Sequence, residues 1–149
     1  MKINFYRFSE IDDKSLRFAV IAARHQRKWI FVQHKQRNTW EIPGGKREPG
    51  EEIRMTAKRK LFEETGAKQF ILEPICVYGV DHDEKESFGA LYYADVQLLA
   101  DLPDSEIGKV SFFEEMPENL TYAKIQPFLF EKTVNYLKNR EIAAQIINR

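Results

Sequence analysis

Two adjacent acidic residues near the end of a predicted helix are the part of this sequence best suited to chemistry. Glu63 and Glu64 follow Lys60 closely, and at about 100° per residue the three positions share one face of a helix. Gly44 and Gly45 come directly after a proline, so the backbone can turn tightly there and approach a ligand. Carboxylate oxygens beside such a loop suit a hard cation that also contacts phosphate. The pattern predicts a site for Mg²⁺ or Mn²⁺.

The helix that carries these acids is predicted over residues 51–64. Glu51 and Glu52 suit the positive end of the helix dipole, and Gly66 suits the position just after the last turn. A second helix is predicted over 122–137 from its apolar spacing. Residues 141–147 either prolong that helix or form another turn.

Strands are predicted on both sides of the central helix from apolar, β-branched and aromatic runs. These runs lie around Val20–Ala22 and over 29–33, 70–80, 88–98 and 110–113. The first two are separated by a short polar turn. Strands before and after one helix, with a second helix last, predict a mixed sheet with helices packed on its faces.

Composition restricts the classes of protein that fit. The 149 residues predict a single domain over 1–149. Basic and acidic residues number 23 each, and this balance argues against a general nucleic-acid coat or a polybasic membrane binder. Cys76 is the only cysteine, so no internal disulfide is expected. No apolar run approaches the ~20 residues of a membrane span, and a cytoplasmic location is the expectation.

The stretch over 40–67 resembles the signature of the Nudix (MutT-like) hydrolases, G-x5-E-x7-R-E-U-x-E-E-x-G-U, where U is a bulky aliphatic residue. The residues that fall in register are Gly45, Glu51, Arg59, Leu61, Glu63, Glu64 and Gly66. Leu61 fills the aliphatic position, and the other six are identities at fixed spacing, which makes a chance match negligible. The layout around the motif, from WEIPGGK to EEMPENL, is most similar to the bacterial MutT/YtkD-like members, and the resemblance covers most of the chain.

The resemblance implies an α/β (α+β) fold, an α/β/α sandwich with a mixed central sheet. It also implies Mg²⁺- or Mn²⁺-dependent hydrolysis of a nucleoside diphosphate linked to another group X. The favoured substrate is a nucleoside triphosphate, with oxidised purine forms among the candidates, cleaved to the monophosphate and pyrophosphate. Expected partners are small nucleotides, with RNA 5′ ends as the one nucleic-acid candidate and no membrane. Either a monomer or a homodimer is expected.

The resemblance also assigns roles to individual residues. Glu63, Glu64 and the carbonyl of Gly44 or Gly45 are implied metal ligands, with Glu106 as a further candidate. Arg59 is expected to brace the loop by pairing with a motif carboxylate, and Glu51 is expected to be a supporting carboxylate. The expected substrate-binding residues are Trp40, Gly44, Gly45 and Lys46. For Trp40, stacking on a base and packing beside the loop are both open.

Lys60 departs from the signature, which has a glutamate there that serves many members as metal ligand or general base. Lys60 either repels the metal and leaves a silent nucleotide-binding module, or pairs with Glu64 while the base comes from elsewhere. The carboxylates that could supply the base are Asp81, Asp83, Glu84, Glu86 and Glu106. An acidic turn over 81–86 is also expected simply to be solvated.

Overall fold

The computed structural model describes residues 1–147. Its elements are β1 Lys2–Tyr6, β2 Leu16–His25, β3 Lys28–His34, β4 Gly44–Lys46, α1 Ile53–Thr65, β5 Ala67–His82, β6 Lys85–Leu99, β7 Ile107–Phe113 and α2 Gln126–Ile147. Two short 3-10 turns lie between β1 and β2. Neither helix in the described part of the chain is long and apolar enough to cross a membrane.

The strands form one mixed sheet in the order β1-β5-β6-β2-β3-β7. Strand β2 pairs in parallel with β6, whereas the other pairings are antiparallel. The opposite edge of β2 is shared: β3 pairs with its last residues, and β4 pairs with Phe18–Val20. This shared edge brings the glycine-containing β4 to the middle of the sheet.

The two helices cover opposite faces of the sheet. Because successive side chains of a strand point to opposite faces, Ile21 of β2 packs in the core layer that contains Leu61 of α1. Its neighbour Val20 packs in the layer that contains Leu129 of α2. The predicted α/β/α sandwich with a mixed central sheet is confirmed.

Two tight hairpin turns explain the sharp reversals of the chain. Gln26 and Arg27 have φ of 51° and 68°, and Asp83 and Glu84 have φ of 50° and 65°. Two consecutive residues with positive φ form the turn whose twist matches that of the flanking strands. The acidic segment 81–86 is thus the tip of the β5–β6 hairpin.

Helix α1 begins at Ile53 and not at Glu51 as predicted. Glu52 is the N-cap, and its carbonyl accepts the N–H groups of Met55 and Thr56. The predicted end is confirmed, because Gly66 adopts a left-handed conformation with φ of 79° and donates its N–H to Phe62. The glycine is needed there, since a left-handed φ strains other residues.

Helix α2 begins at Gln126 and not at position 122, because residues 122–125 form turns. Pro127 suits the first turn of a helix, where its missing N–H has no intrahelical partner. The helix continues to Ile147, so the tail prolongs it. Strand β1, which the sequence patterns did not predict, pairs with β5 at the edge of the sheet.

Candidate active site

Strand β4, which we call the glycine strand, lies very close to strand β2 on one side and to the side chain of Lys60 on the other. Gly44 pairs with Val20 and Gly45 with Ala19. A Cβ atom on Gly44 would lie 2.5 Å from the Ala19 carbonyl oxygen, and one on Gly45 would overlap the stem of Lys60. Backbone cannot give way as a flexible side chain can, so Gly44 is required by the sheet. Gly45 opens the space that Lys60 fills.

Glu64 is held against this strand by a backbone group. The N–H of Gly44 donates to Glu64 Oε1 over 3.0 Å, and the Glu64 side chain is only 14% exposed. Burial raises the pKa of Glu64 to about 7, against the opposing effects of the Gly44 N–H and the Lys60 charge. Because a carboxylate has about four lone-pair sites, Glu64 retains unused acceptor capacity in a buried position.

Lys60 lies between the two motif carboxylates. Its Nζ is 3.5 Å from Glu63 Oε2 and 3.7 Å from Glu64 Oε2. These separations exceed the roughly 2.7–2.9 Å of a charge-assisted hydrogen bond. The ammonium therefore neutralises part of the acidic charge without holding either carboxylate tightly.

Arg59 is the centre of a hydrogen-bond network that joins β4 and the loop before α1 to the helix. Its Nε donates to Glu51 Oε2 over 2.7 Å, and its Nη2 donates to Glu51 Oε1 over 3.0 Å and to the Lys46 carbonyl over 3.0 Å. Nη1 donates to Glu63 over 3.2 Å. The guanidinium thus ties the loop that precedes α1 to the helix itself, as the bracing role requires.

Glu51 is fully used within this network. Hydrogen bonding from Arg59 lowers its pKa to about 2, aided by Thr56, whose hydroxyl donates to Glu51 over 2.6 Å. The Glu48 N–H donates to the same carboxylate over 3.2 Å. Pairing with Glu51 raises the pKa of Arg59. Thr56 was not predicted; its position five residues after Glu51, on the buried face of α1, is the signal in the sequence.

A cavity of about 520 Å³ opens beside the glycine strand. Its floor is largely apolar, and its walls come from β2, β4, β5, β6 and the start of α2. The lining includes Phe18, Val20, Ile42, Tyr78, Val80, Ile125 and Leu129, with polar groups from Glu41, Lys46, His82, Ser87, Tyr122 and Gln126. A concave apolar surface with few polar groups, next to acidic residues, is the usual form of a small-molecule site.

Two polar residues of this cavity, Glu41 and Gln126, were not predicted from the sequence. Glu41 is mostly buried, pairs with Arg37 over 2.9 Å and lies near enough to Glu64 to raise its pKa. The side-chain oxygen of Gln126 accepts the Ile42 N–H over 2.8 Å. Glu41 stands in WEIPGG directly before the glycine loop, which is a local signal, whereas Gln126 is 84 positions from its partner.

Three other residues were predicted to bind substrate or metal: Lys46, Trp40 and Glu106. Lys46 lines the cavity and also borders a second one of about 660 Å³. Trp40 is absent from the cavity lining and packs edge-on against Phe113 with ring centroids 5.0 Å apart. Glu106 is exposed and contacts His34 over 3.5 Å, because β7 pairs with β3. The contacts that the structure shows for these two residues are thus with Phe113 and His34.

The acidic hairpin tip is occupied by structural contacts at its best-placed carboxylate. Glu86 accepts hydrogen bonds from the Asn4 side-chain amide over 2.9 Å and from the Tyr6 hydroxyl over 2.7 Å. It thereby fastens β1 to the sheet. The neighbouring Asp83 and Glu84 form the exposed turn, in agreement with the expectation that this acidic segment is solvated.

The donor set near the glycine strand suits one hard cation. Glu63 and Glu64 could supply carboxylate oxygens, and Gly44 or Gly45 a backbone carbonyl, which are the ligand types that Mg²⁺ and Mn²⁺ prefer. Buried, under-used Glu64 is the observation that favours a cation there. Within residues 1–147, no group of three or more His, Cys, Asp or Glu side chains is arranged to hold a metal. Further ligands would have to be backbone, water or substrate oxygens.

Comparison with known proteins places the chain in a family. The family model of the NUDIX domain matches residues 13–128. A Bacillus subtilis (strain 168) protein provisionally named 8-oxo-dGTP diphosphatase YtkD is 35% identical over 115 residues, which are 76% of this chain and 72% of the relative.

Solved structures agree with this match. The Bacillus subtilis pyrophosphohydrolase BsRppH superimposes with a TM-score of 0.74 at 27% identity, covering 89% of this chain and 90% of that one. The NUDIX domain of Shewanella oneidensis NrtR, solved with ADP-ribose, superimposes with a TM-score of 0.64 over 87% and 95% of the two chains; at 21% identity it shows the fold alone. By its matched domain and its relatives, this chain belongs to the Nudix hydrolase family.

Proposed function

We propose that this protein hydrolyses a nucleoside triphosphate to the monophosphate and pyrophosphate, using one Mg²⁺ or Mn²⁺ ion. The observation that carries the proposal is the position of Glu63 and Glu64. Both lie on α1, and Glu64 accepts the N–H of Gly44 in the glycine strand, which also lines the 520 Å³ cavity. Glu63, Glu64 and a β4 carbonyl would hold the cation, and the cavity beside β4 would hold the nucleotide.

The chain's own residues would then divide the work of catalysis. Bound there, the ion supplies Lewis-acid polarisation of a phosphoryl oxygen and neutralises developing negative charge. The Gly44 N–H fixes the orientation of Glu64, and Arg59 fixes Glu63 through its 3.2 Å contact. Lys46, which lines the cavity, places a positive charge where phosphate groups would enter.

Glu41 is our candidate for the group that accepts a proton from the attacking water. It is the one carboxylate among the described residues that line the cavity, and it lies near Glu64. A general base must reach the water directly or through one intermediary. Glu41 is better placed for this than exposed Glu106, whose carboxylate contacts His34.

The cavity and the relatives together favour a purine nucleotide as substrate. A volume of about 520 Å³ lies within the roughly 300–1,000 Å³ range of small-molecule sites. Its aromatic and aliphatic lining can enclose a base, and Gln126 offers a hydrogen-bonding group at its wall. The name of the YtkD relative refers to 8-oxo-dGTP, which makes an oxidised purine the first substrate to test.

A nucleotide panel tests the proposal. Purified protein would be incubated with dGTP, 8-oxo-dGTP, GTP, ADP-ribose and a 5′-triphosphorylated RNA oligonucleotide, with Mg²⁺, with Mn²⁺ and with a chelator. We expect metal-dependent release of pyrophosphate, fastest with a free triphosphate. The double variant Glu63→Gln/Glu64→Gln is the matched control. Turnover no greater than that of the control on every substrate would reject the proposal.

A silent nucleotide-binding module is the second candidate, and Lys60 is the observation that favours it. Its ammonium lies 3.5 Å and 3.7 Å from the two carboxylates, where it competes with a metal. This candidate predicts nucleotide binding measurable by calorimetry, no turnover in the panel, and hydrolysis that first emerges in a Lys60→Glu variant.

A further inference from the structure

Residues of both α1 and β4 determine where the side chain of Lys60 lies. On the helix side, Glu63 and Glu64 are its neighbours three and four residues on, the spacing at which helical side chains meet. On the sheet side, Gly45 leaves the space for the stem, because a Cβ there would lie 3.0 Å from Nζ and overlap the adjoining carbons. The side chain is only 19% exposed. Lys60 is thus enclosed between α1 and β4.

Among the described residues, the acidic groups that pair with Lys60 are Glu63 and Glu64. Arg59 meets Glu51 through contacts of 2.7 Å and 3.0 Å and reaches Glu63 through a single longer contact of 3.2 Å. With both carboxylates ionised, as a bound cation would keep them, Lys60, Glu63 and Glu64 together carry one net negative charge, whereas a carboxylate at position 60 would raise this to three. A cleft with a single negative charge attracts a second divalent ion far less strongly.

We propose that the ammonium of Lys60 is a resident cation of the site and takes the place of one divalent ion, so that the cleft binds one ion fewer than it would with a carboxylate at position 60. The inference rests on the proposed function for the identity of the site. Its long contacts with Glu63 and Glu64 let the ammonium shift aside within the enclosure while its charge stays in the cleft.

Counting bound ions tests this directly. Mn²⁺ bound per chain would be measured by electron paramagnetic resonance of the free ion, with the non-hydrolysable α,β-methylene analogue of dGTP at saturation. The variants are Lys60→Glu and Lys60→Gln, with Lys58→Glu as the control that makes the same charge change on another face of α1. We expect Lys60→Glu to bind one more ion per chain than the wild type, and Lys58→Glu to match the wild type.

The neutral variant separates charge from ligation and serves if Lys60→Glu fails to fold. Lys60→Gln should bind the same number of ions as the wild type but about tenfold more tightly, because a positive charge beside the ion is lost. Equal ion counts in the wild type and Lys60→Glu, or an unchanged affinity in Lys60→Gln, would overturn the inference. A wild type without turnover or bound ion, beside a Lys60→Glu variant that binds one, would reject the proposed hydrolysis and keep the inference.

Discussion

Two ion-pair groups flank the glycine strand, and they differ in how closely their charges meet. On one side, Arg59 and Glu51 make two hydrogen bonds of 2.7 Å and 3.0 Å. On the other side, Lys60 approaches Glu63 and Glu64 no closer than 3.5 Å. The first group joins α1 to the loop before it, whereas the second lies wholly on α1, and only the first reaches the distances of charge-assisted hydrogen bonds.

The difference separates structural charge from charge that is available to a ligand. Glu51 has its acceptor sites filled by Arg59, Thr56 and the Glu48 N–H, and its pKa falls to about 2. The Glu64 side chain is exposed to the same 14%, but it receives a single backbone N–H, and stronger desolvation raises its pKa to about 7. The two carboxylates of one motif therefore have opposite pKa shifts, and we propose that the one with free acceptor sites, Glu64, holds the cation.

The largest expected effect is on activity, at the loosely paired side. Glu64→Gln removes the charge that would hold the cation, but the amide oxygen can still accept the Gly44 N–H. If the proposed hydrolysis is correct, we expect kcat to fall by roughly 10²–10³-fold, as for loss of one electrostatic contact to the transition state. The melting temperature should not fall, because a buried carboxylate is removed. Steady-state kinetics and circular dichroism measure the two effects, and wild-type kcat in a folded variant would contradict the assignment.

Breaking the tight Arg59–Glu51 pair should lower the free energy of unfolding. Arg59→Met leaves the 14% exposed Glu51 side chain without its charged partner, which we expect to cost about 2–3 kcal/mol of unfolding free energy. Urea denaturation at pH 7 measures the loss. Lys58→Met, a substitution of similar size on the same helix, is the control. An equal loss in both variants would show that Arg59 contributes only what an ordinary helical residue does.

Acid should weaken the same side of the loop. The folded pKa of Glu51, about 2, lies below its ordinary value of 4.5, so the unfolded chain takes up this proton first as pH falls. The stabilisation is therefore complete above about pH 5 and is lost progressively towards pH 2. Urea midpoints measured across this window should fall more steeply for the wild type than for Glu51→Gln. Parallel pH curves for the two proteins would contradict the strength of the Glu51–Arg59 pair.

The sequence predicted the parts of this site that depend on local spacing. Glu63, Glu64 and Gly66 lie where helical periodicity and the left-handed cap place them. The central helix was predicted from the signals at its two ends and most strands from apolar runs of neighbouring residues, whereas the α/β/α sandwich was implied by the family resemblance. The start of α1 was misplaced by two residues, because Glu51 is an acidic residue that pairs with Arg59 and precedes the helix.

Long-range contacts explain what sequence patterns did not predict. Gln126 meets Ile42 across 84 positions, and β1 joins the sheet through pairing with β5, fastened by Tyr6 and Glu86. Neither contact produces a periodic pattern among neighbouring residues, so the sequence patterns could not predict it. Glu106 shows the converse: its acidity suggested a ligand, but the pairing of β7 with β3 places its carboxylate beside His34.

The smallest expected effect is the stability change on removing the Lys60 charge. Lys60→Met keeps the unbranched stem that packs over Gly45 and deletes only the ammonium, whose contacts of 3.5 Å and 3.7 Å are of the weak kind worth about 0–1 kcal/mol. Glu64 limits the cost further, because a carboxyl with a pKa already about 7 can take up a proton at neutral pH for little free energy. In the urea series that measures Arg59→Met, we expect a loss below about 1 kcal/mol for Lys60→Met. A loss as large as that of Arg59→Met would mean that Lys60 is a second structural brace, and the distinction between the two sides of the glycine strand would not hold.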